Sequence, residues 1–474
     1  MFRLKFKRCL VIILSMVCLM VWYSPGWAIS LKEEQELSQQ FMRMVNRHFE
    51  VVDDPLITDY VGRIGRKILD GLPPQPFTYR FFVIKEDVYN AFAIPAGYIF
   101  INSGLLLAMD SEEELAGILS HEISHVVCRH ISQRIERSKK IDLASMAGVV
   151  AGIFLGAAGG SAAAAQALTL GSAAAGTSLS LAYSRDDEAQ ADQIGLGYLA
   201  NAGYSADGLI EILKKIRGKQ WFGSDQVPTY MMTHPAVEER IAQIDTWMAT
   251  RDEAAHKRKK PEGSSEFSRI QYRLRALYGD PAASIQFFKS GLAQHPGNLD
   301  LAYGYALAMA RTGNHTEAVH HLQKALAKNA LDPIILADLG KIYFLAGRVK
   351  DALPVLQGAV SLAADHPEGL FYLGRTHMEL GDFTAAAEAF ERLLRFQDSY
   401  APAYYFLGES YGKMDRIPEA HYFLGMFHFK NGDDRTAYFH LMRAQKDITD
   451  PAKREAIKQS VDIIKKLPKK EEQQ

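Results

Sequence analysis

The chain has 474 residues, which is too long for one compact core, so we expect two or more domains. Hydrophobic residues make up 48% and charged residues 23% of the chain, a composition that excludes a wholly disordered protein. The formal net charge of −1 provides no general attraction to nucleic acid, and we expect no nucleic-acid partner.

The first 28 residues have the features of a secretory signal peptide. Basic residues precede an apolar run from Leu10 to Trp22, which is shorter than the roughly 20 residues of a spanning helix. The small residues Gly26 and Ala28 predict cleavage after Ala28 and export to the periplasm. The alternative is an uncleaved membrane anchor. Cleavage leaves Cys128 as the one cysteine, so no internal disulfide is expected.

Helices and short strands are predicted to alternate in the region that follows. The predicted elements are helices at 31–49 and 56–69 and strands at 79–84 and 98–102. Ser111 is then the predicted N-cap of a further helix, with Glu114 completing a capping box, and we expect this helix to continue to about Arg134. The mixture predicts an α+β domain that is mainly helical with a small sheet.

The helix after Ser111 carries the strongest chemical signal, His121-Glu122-Ile123-Ser124-His125. Histidines four residues apart lie on one helical face, about 6 Å apart along the axis, within reach of one cation. Glu122 is rotated from them by about 100° and can act on water bound to that cation. The pattern is typical of zinc peptidases, so we expect one Zn²⁺ per chain.

A catalytic zinc requires a third protein ligand from elsewhere in the chain. The candidates are His130, Cys128 and the acidic run Asp186-Asp187-Glu188. On a continuous helix His130 would point away from His121, and Cys128 would lie about 10 Å along the axis. A later charged helix offers Glu188 and Asp192 one turn apart, one to bind the metal and the other to support the ligands.

An uncharged stretch, residues 143–184, joins the two helices that carry these candidates. It is rich in alanine, glycine and serine, and we expect it beside the site as a helical hairpin or flap. A membrane span is disfavoured because the many glycines make a poor spanning helix. Peripheral contact with a membrane surface is the alternative role for this stretch.

His234 follows both of these helices, in the sequence Thr233-His234-Pro235. Apolar residues at helical spacing in the next helix predict that packing holds this loop in place. A histidine there could reach the open zinc position and replace the catalytic water. We therefore predict His234 as a regulatory fourth ligand that keeps the site latent. The alternative is a loop histidine that bonds the backbone or contacts substrate.

Beyond the polar segment 251–266 the sequence repeats with a period of 34 residues. One column is Gly279, Gly313, Gly347, Gly381 and Asp415, and another is Ala306, Gly340, Gly374 and Gly408. Small residues at this period allow paired helices to approach closely, which is typical of tetratricopeptide repeats. A last set that includes Gly425 and Leu441 is out of frame and indicates a merged or distorted final repeat. We expect a peptidase domain at 29–250, a linker at 251–266 and an α-solenoid at 267–465.

Over residues 31–250 the chain resembles the gluzincin metallopeptidases, the family that includes the CAAX prenyl protease and the heat-shock protease HtpX. The segments that carry the resemblance are Asn90-Ala-Phe-Ala93, Glu114-Leu-Ala-Gly117, the zinc motif, Arg129-His130 and Glu188-Ala-Gln-Ala-Asp192. The resemblance implies Glu188 as the third ligand and Asp192 as a proton donor or orienting group. Asn90 and Arg185 are further candidates for substrate or oxyanion contacts.

The resemblance, the export signal and the repeats together imply a zinc endopeptidase that hydrolyses misfolded or stalled envelope proteins, in outer-membrane protein quality control and assembly. The repeats would bind a protein partner, for which the outer-membrane assembly machinery is the candidate. An edge strand near residues 91–95 is a candidate for binding peptide by strand addition. The alternative function is a chaperone or adaptor whose proteolysis is rare or conditional.

Overall fold

A computed structural model describes residues 29–137, 183–221, 229–251, 265–327, 329–398 and 400–466. The predicted signal peptide, most of the predicted linker and nearly all of the stretch 143–184 lie outside the described residues. The chain divides into two compact units, Met1–Phe267 and Ser268–Gln474.

The first unit is mainly helical and contains a small sheet, as predicted. Its described helices are α1 Leu31–His48, α2 Pro55–Leu69, α3 Ser103–Ala108, α4 Glu112–Val127, α5 His130–Arg137, α6 Arg185–Asn201, α7 Asp207–Trp221, α8 Thr229–Thr233 and α9 Val237–Arg251. Its described strands are β1 Arg80–Ile84, β2 Ala91–Ile94 and β3 Tyr98–Asn102. Across the part of the chain that the structure covers, no helix is both long and apolar enough to span a membrane.

The sheet has the order β1-β3-β2, with β3 parallel to β1 and antiparallel to β2. A tight turn joins β2 to β3, where Ala96 and Gly97 have φ angles of 60° and 82°. Every residue of β2 and β3 is buried, and both strands are mainly apolar instead of alternating, with Asn102 as a buried polar residue at the end of β3. In this three-stranded sheet β2 lies at an edge and contacts α4, the helix that carries the zinc motif.

The motif helix α4 begins at Glu112, but the predicted capping box does not form. Ser111 is the N-cap residue and makes no side-chain cap hydrogen bond. The Glu114 carboxylate instead accepts hydrogen bonds from the backbone N–H of Asp110 and from the Lys215 ammonium group at 2.7 Å. A charged partner from α7 therefore replaces the local contact, and its positive charge balances the buried Glu114 carboxylate.

The predicted continuous helix to Arg134 is also wrong. Helix α4 ends at Val127, and Arg129 adopts a φ of 54°, in the left-handed region. Its guanidinium group donates to the Glu34 carboxylate at 2.6 and 2.9 Å and to the Ile29 carbonyl oxygen, which holds the chain in this turn. A new helix, α5, then starts at His130 in a different direction.

The second unit consists of helices that pack on their neighbours in sequence. The first of these helices, α10 Ser265–Tyr278, begins in the last residues of the first unit. The others are α11 Pro281–Gln294, α12 Leu299–Arg311, α13 His315–Leu326, α14 Pro333–Leu345, α15 Val349–Leu362, α16 Pro367–Glu379, α17 Phe383–Phe396, α18 Ala401–Lys413, α19 Ile417–Lys430, α20 Asp434–Asp447 and α21 Pro451–Lys466. This is the helical solenoid that the 34-residue period predicts.

The column of small residues marks the points where two helices touch. A Cβ atom at Gly374 would lie 2.7 Å from the Phe390 ring, and one at Gly408 would lie 2.9 Å from Leu424. The out-of-frame Gly425 has the same role, because its Cβ would lie 2.7 Å from Leu441. Helix α19 therefore closes one helix pair and opens the next, which explains the merged final repeat.

Two matched substitutions test this packing. We expect Gly374→Ala to lower the free energy of unfolding by about 1–3 kcal/mol, because the added methyl group must displace the Phe390 ring. Gly358→Ala, within α15, meets no atom within 4 Å and should leave stability unchanged or raise it by up to about 1 kcal/mol. Urea unfolding of the full chain, followed by circular dichroism, measures both. Equal stability of the two variants would contradict the close-approach explanation.

Candidate active site

Four buried side chains converge from three parts of the first unit. His121 and His125 come from α4, Glu188 from α6, and His234 from the loop between α8 and α9. One ligand atom from each residue lies within 4.8 Å of the others. His121 Nε2 is 3.0 Å from His125 Nε2 and 3.3 Å from His234 Nδ1. The structure thus brings together both motif histidines, the predicted third ligand and the predicted fourth one.

The chemistry of these residues fits a divalent metal ion. Three imidazole nitrogens and one carboxylate form a ligand set typical of zinc. Both carboxylate oxygens of Glu122, which is fully buried beside this set, have no hydrogen-bond partner among the described residues. Three carboxylates, those of Glu122, Glu188 and Asp192, are buried here against one guanidinium group, that of Arg240. When all are ionised, two negative charges remain, which a divalent cation balances.

Asp192 lies behind His121 and is not part of the ligand set. Its Oδ1 atom is 2.8 Å from His121 Nδ1, so the ring directs Nε2 toward the other three ligands. Burial and Arg240 lower the pKa of His121, but the carboxylates of Asp192 and Glu188 outweigh them and raise it to about 9. The site therefore attracts positive charge strongly, whether a proton or a metal ion.

Arg240 is a central residue that the sequence analysis missed. Its Nη1 atom is 2.6 Å from Glu188 Oε2, and its Nε atom donates to Asp192 Oδ2 at 2.7 Å. Arg240 lies on α9, and only 2% of its surface is exposed to solvent. A signal was present, because Arg240 falls at a helical position between the apolar residues Val237 and Ile244, where a charge is unusual.

The carboxylate of Glu188 shows the effect of this arrangement. Burial alone would raise the pKa of Glu188, but Arg240, His234 and His121 hold it well below its usual value. Burial raises the pKa of Glu122, although His234 and His121 oppose the shift. The surroundings thus favour the ionised form of Glu188 and the protonated form of Glu122.

Two tyrosines that the sequence patterns did not indicate cover the histidine rings. Tyr183 stacks on His125 with ring centres 3.6 Å apart, and Tyr230 stacks on His234 at 4.3 Å. Both tyrosines are buried, and burial raises the pKa of Tyr183 well above its usual value. They exclude water from one side of the cluster and fix the planes of the two rings.

His234 is held by contacts on every side. Its Nδ1 atom is 3.1 Å from Glu188 Oε1, while its Nε2 atom lies 3.3 Å from the Ala91 carbonyl oxygen. Its backbone N–H donates to the Tyr230 carbonyl oxygen at 2.7 Å. The ring therefore reaches the ligand set and also bonds the backbone of β2, so both of the predicted geometries occur at once.

The remaining candidates lie outside the ligand set. Asn90 is buried directly before β2, and its role as a substrate contact stays a prediction. The Arg185 side chain is 71% exposed and pairs with Glu239 at 2.5 Å, so the structure does not bring it to the cluster. It lies at the start of α6, one turn before Glu188 and closer to solvent. Cys128 is the C-cap residue of α4 and is half-buried.

Residues 58–248 match Peptidase family M48. Residues 276–337, 310–367, 337–402 and 371–437 match tetratricopeptide repeat families. Peptidase M48 is a metallopeptidase family, and the cluster described above is a group of residues that could hold a metal ion. The chain is therefore a metalloprotease, with an M48 domain followed by tetratricopeptide repeats.

The chain is also similar to particular proteins. The chain is 26% identical over 357 residues to the beta-barrel assembly-enhancing protease of Yersinia pestis, across 73% of this chain and 70% of that protein. It is 30% identical over 218 residues to the putative beta-barrel assembly-enhancing protease of Vibrio cholerae, across 46% and 44%. It is 31% identical over 209 residues to the mitochondrial metalloendopeptidase OMA1 of Arabidopsis thaliana, across 44% and 36%. The chain spans less than half the length of the last two.

Removing the Arg240 charge tests the electrostatic account. In metal-free protein, prepared with a chelator, we expect Arg240→Met to lower the free energy of unfolding by about 3–5 kcal/mol, because it leaves buried carboxylates unpaired. The matched control Arg185→Met breaks an exposed pair with Glu239 and should cost no more than about 1 kcal/mol. Urea unfolding midpoints that agree for the two variants would show that Arg240 does not balance the site.

Proposed function

We propose that the protein is a zinc-dependent endopeptidase that hydrolyses misfolded or stalled envelope proteins. The observation that carries the proposal is the convergence of His121, His125 and Glu188 on one point, with the buried carboxylate of Glu122 beside it. Three protein ligands and an open fourth position are what catalytic zinc sites use.

In this proposal each residue has a defined task. A bound zinc ion supplies Lewis-acid chemistry, polarising the scissile carbonyl group and lowering the pKa of water. Glu122 accepts the proton of the attacking water and delivers it to the leaving amine. Asp192 holds His121 in the ligating orientation through the contact at Nδ1. Arg240 keeps both Glu188 and Asp192 ionised.

The edge of β2 is the proposed binding surface for an extended peptide. The Ala91 and Ala93 carbonyl groups point away from β3, toward the metal centre. A substrate strand that pairs with this edge would place its backbone next to Glu122. His234 lies 3.3 Å from the Ala91 carbonyl oxygen, and the Tyr183 hydroxyl group donates to the Ala93 carbonyl oxygen at 3.4 Å.

These contacts support a latent state of the enzyme. His234 stands at the open ligand position and at the edge that substrate would use, so one ring blocks both. Displacing it requires the loop between α8 and α9 to move, which costs the stacking on Tyr230 and the bond to Glu188. A substrate or partner that offers compensating contacts would shift the population toward the active form.

The setting of the reaction is also part of the proposal. Residues 1–28 would direct export and be removed, and residues 29–250 would act as the peptidase domain in the periplasm. The segment 251–266 would link this domain to the repeats at 267–465, which would bind a protein partner. The names of the bacterial relatives support the outer-membrane assembly machinery as that partner. Contact of residues 143–184 with the membrane surface remains part of this proposal.

A second candidate function is a chaperone or adaptor in which proteolysis is conditional. It is supported by the place of His234 beside the other three proposed ligands, where its ring would block the site, and by the long repeat region. The two functions differ in whether hydrolysis is needed. They are separated by a variant that keeps the metal and removes the general base: loss of the protein's function would mean that hydrolysis is required, and retention of that function would mean that binding suffices.

Glu122→Gln is that variant. We expect it to retain about one zinc ion per chain and to lose at least about 10²-fold in peptide hydrolysis, because an amide cannot accept the proton. His125→Ala should lose the zinc itself. Elemental analysis and cleavage of an unfolded protein substrate measure the two effects, with Glu113→Gln in the first turn of α4 as the control. Unimpaired hydrolysis by Glu122→Gln, or a wild-type chain without zinc, would contradict the proposal.

His234→Ala tests the latent state. We expect faster cleavage of an unfolded substrate and more self-cleavage, with zinc still held by His121, His125 and Glu188. The physical reason is that the substitution opens the fourth position and the β2 edge together. Zinc content and cleavage rates are compared with those of wild type. Unchanged or slower cleavage with zinc retained would assign His234 to substrate binding or to structure instead.

A further inference from the structure

We propose that His130 is a positioning residue for the metal ligand His125. It accepts a hydrogen bond from His125 Nδ1–H and so holds His125 Nε2 toward the metal position. This inference rests on the metal centre of the proposed function. It extends that function to a residue outside the ligand set, which the zinc motif does not include.

The two motif histidines are supported in parallel ways. Each directs Nε2 toward the centre, where these atoms are 3.0 Å apart. Behind His121, the partner of Nδ1 is the Asp192 carboxylate at 2.8 Å. Behind His125, the atom in the same place is His130 Nδ1, also at 2.8 Å. His130 therefore has for His125 the role that Asp192 has for His121.

The metal position determines which ring nitrogens of His125 and His130 carry protons. A histidine that ligates through Nε2 carries its proton on Nδ1, so His125 donates and His130 Nδ1 accepts. The proton of a neutral His130 is then on Nε2, which lies 3.0 Å from Gln190 Oε1, an acceptor. Gln190 is on α6, two residues after Glu188. The chain of hydrogen bonds thus connects the two helices that carry the ligands.

The backbone turn at Arg129 makes this contact possible. On a straight continuation of α4, His130 would point away from the cluster. The φ of 54° at Arg129 turns the chain, and the Arg129 ion pair with Glu34 holds the turn. His130 is 2% exposed as a result, and His125 is confined between its ring and that of Tyr183. The direction of the His130 side chain is thus set by the turn at Arg129 and not by helical spacing.

An imidazole at this place has an electrostatic advantage over a carboxylate. The cluster already buries three carboxylates against Arg240. A further buried carboxylate behind His125 would add one more negative charge, which a divalent cation could not balance. A neutral imidazole supplies the acceptor and the direction without the charge. Asp187, 3.9 Å from His130 Nε2, is instead paired with Arg134 at 2.7 Å.

The test compares substitutions that keep or remove the acceptor at the Nδ1 position. The amide oxygen of His130→Asn falls close to that position, whereas the amide of His130→Gln falls close to Nε2. His130→Phe keeps the ring volume and has no acceptor. The dissociation constant for zinc is measured on the full mature chain by competition with a chelator of known affinity. Gln133→Ala, on the same helix and exposed, is the control.

We expect zinc affinity to fall about 10–100-fold in His130→Phe and His130→Gln and to be largely restored in His130→Asn. A purely structural role would instead favour Phe, which preserves packing. Zinc binding by a folded His130→Phe as tight as that of wild type would overturn the inference. If that variant does not fold, affinity in His130→Asn no higher than in His130→Gln overturns it equally. Absence of zinc binding by wild type would instead refute the proposed function itself.

Discussion

The structure of the peptidase unit depends on the balance of charge in its buried interior. Glu122, Glu188 and Asp192 are all buried, and an unpaired carboxylate in such a place costs several kcal/mol. Arg240 contacts two of them directly, which ties α9 to α6, while His121 ties Asp192 to α4. Separating these helices would leave the charges unpaired. The negative charge that remains is what makes the place suited to a divalent cation.

The four proposed ligands differ in how firmly they are held, and this difference bears on the proposed regulation. His121, His125 and Glu188 are on long helices, and each of the histidines is fixed from behind by a second side chain. His234 is instead on a loop and is kept in place by stacking on Tyr230 and by bonds at both ring nitrogens. Loop segments open at lower free energy than helices do. In the proposed latent state, the ligand that blocks the site is therefore the one that can leave most easily.

The repeat unit follows a different and more local physical rule. Its stability comes from contacts between neighbouring helices, and small residues at 34-residue spacing allow those helices to approach. Such a rule is visible in sequence, including the merged final repeat, because Gly425 stands where its approach to Leu441 requires it. What the sequence does not reveal is the surface that binds a partner. That surface depends on side chains from several repeats, whose mutual positions are not encoded in the period.

The sequence by itself determined what a regular backbone geometry can carry. The spacing of His121 and His125 placed two imidazoles on one helical face, the apolar runs predicted the strands, and the 34-residue period predicted the solenoid. Glu188 required the family resemblance, because spacing alone left Asp192 equally placed. Only the tertiary structure decided the role of Arg240, the break at Arg129 and the failure of the Ser111 cap. Those outcomes depend on partners distant in the chain, since a buried charge takes whichever opposite charge the fold brings to it, and no local periodicity specifies that partner.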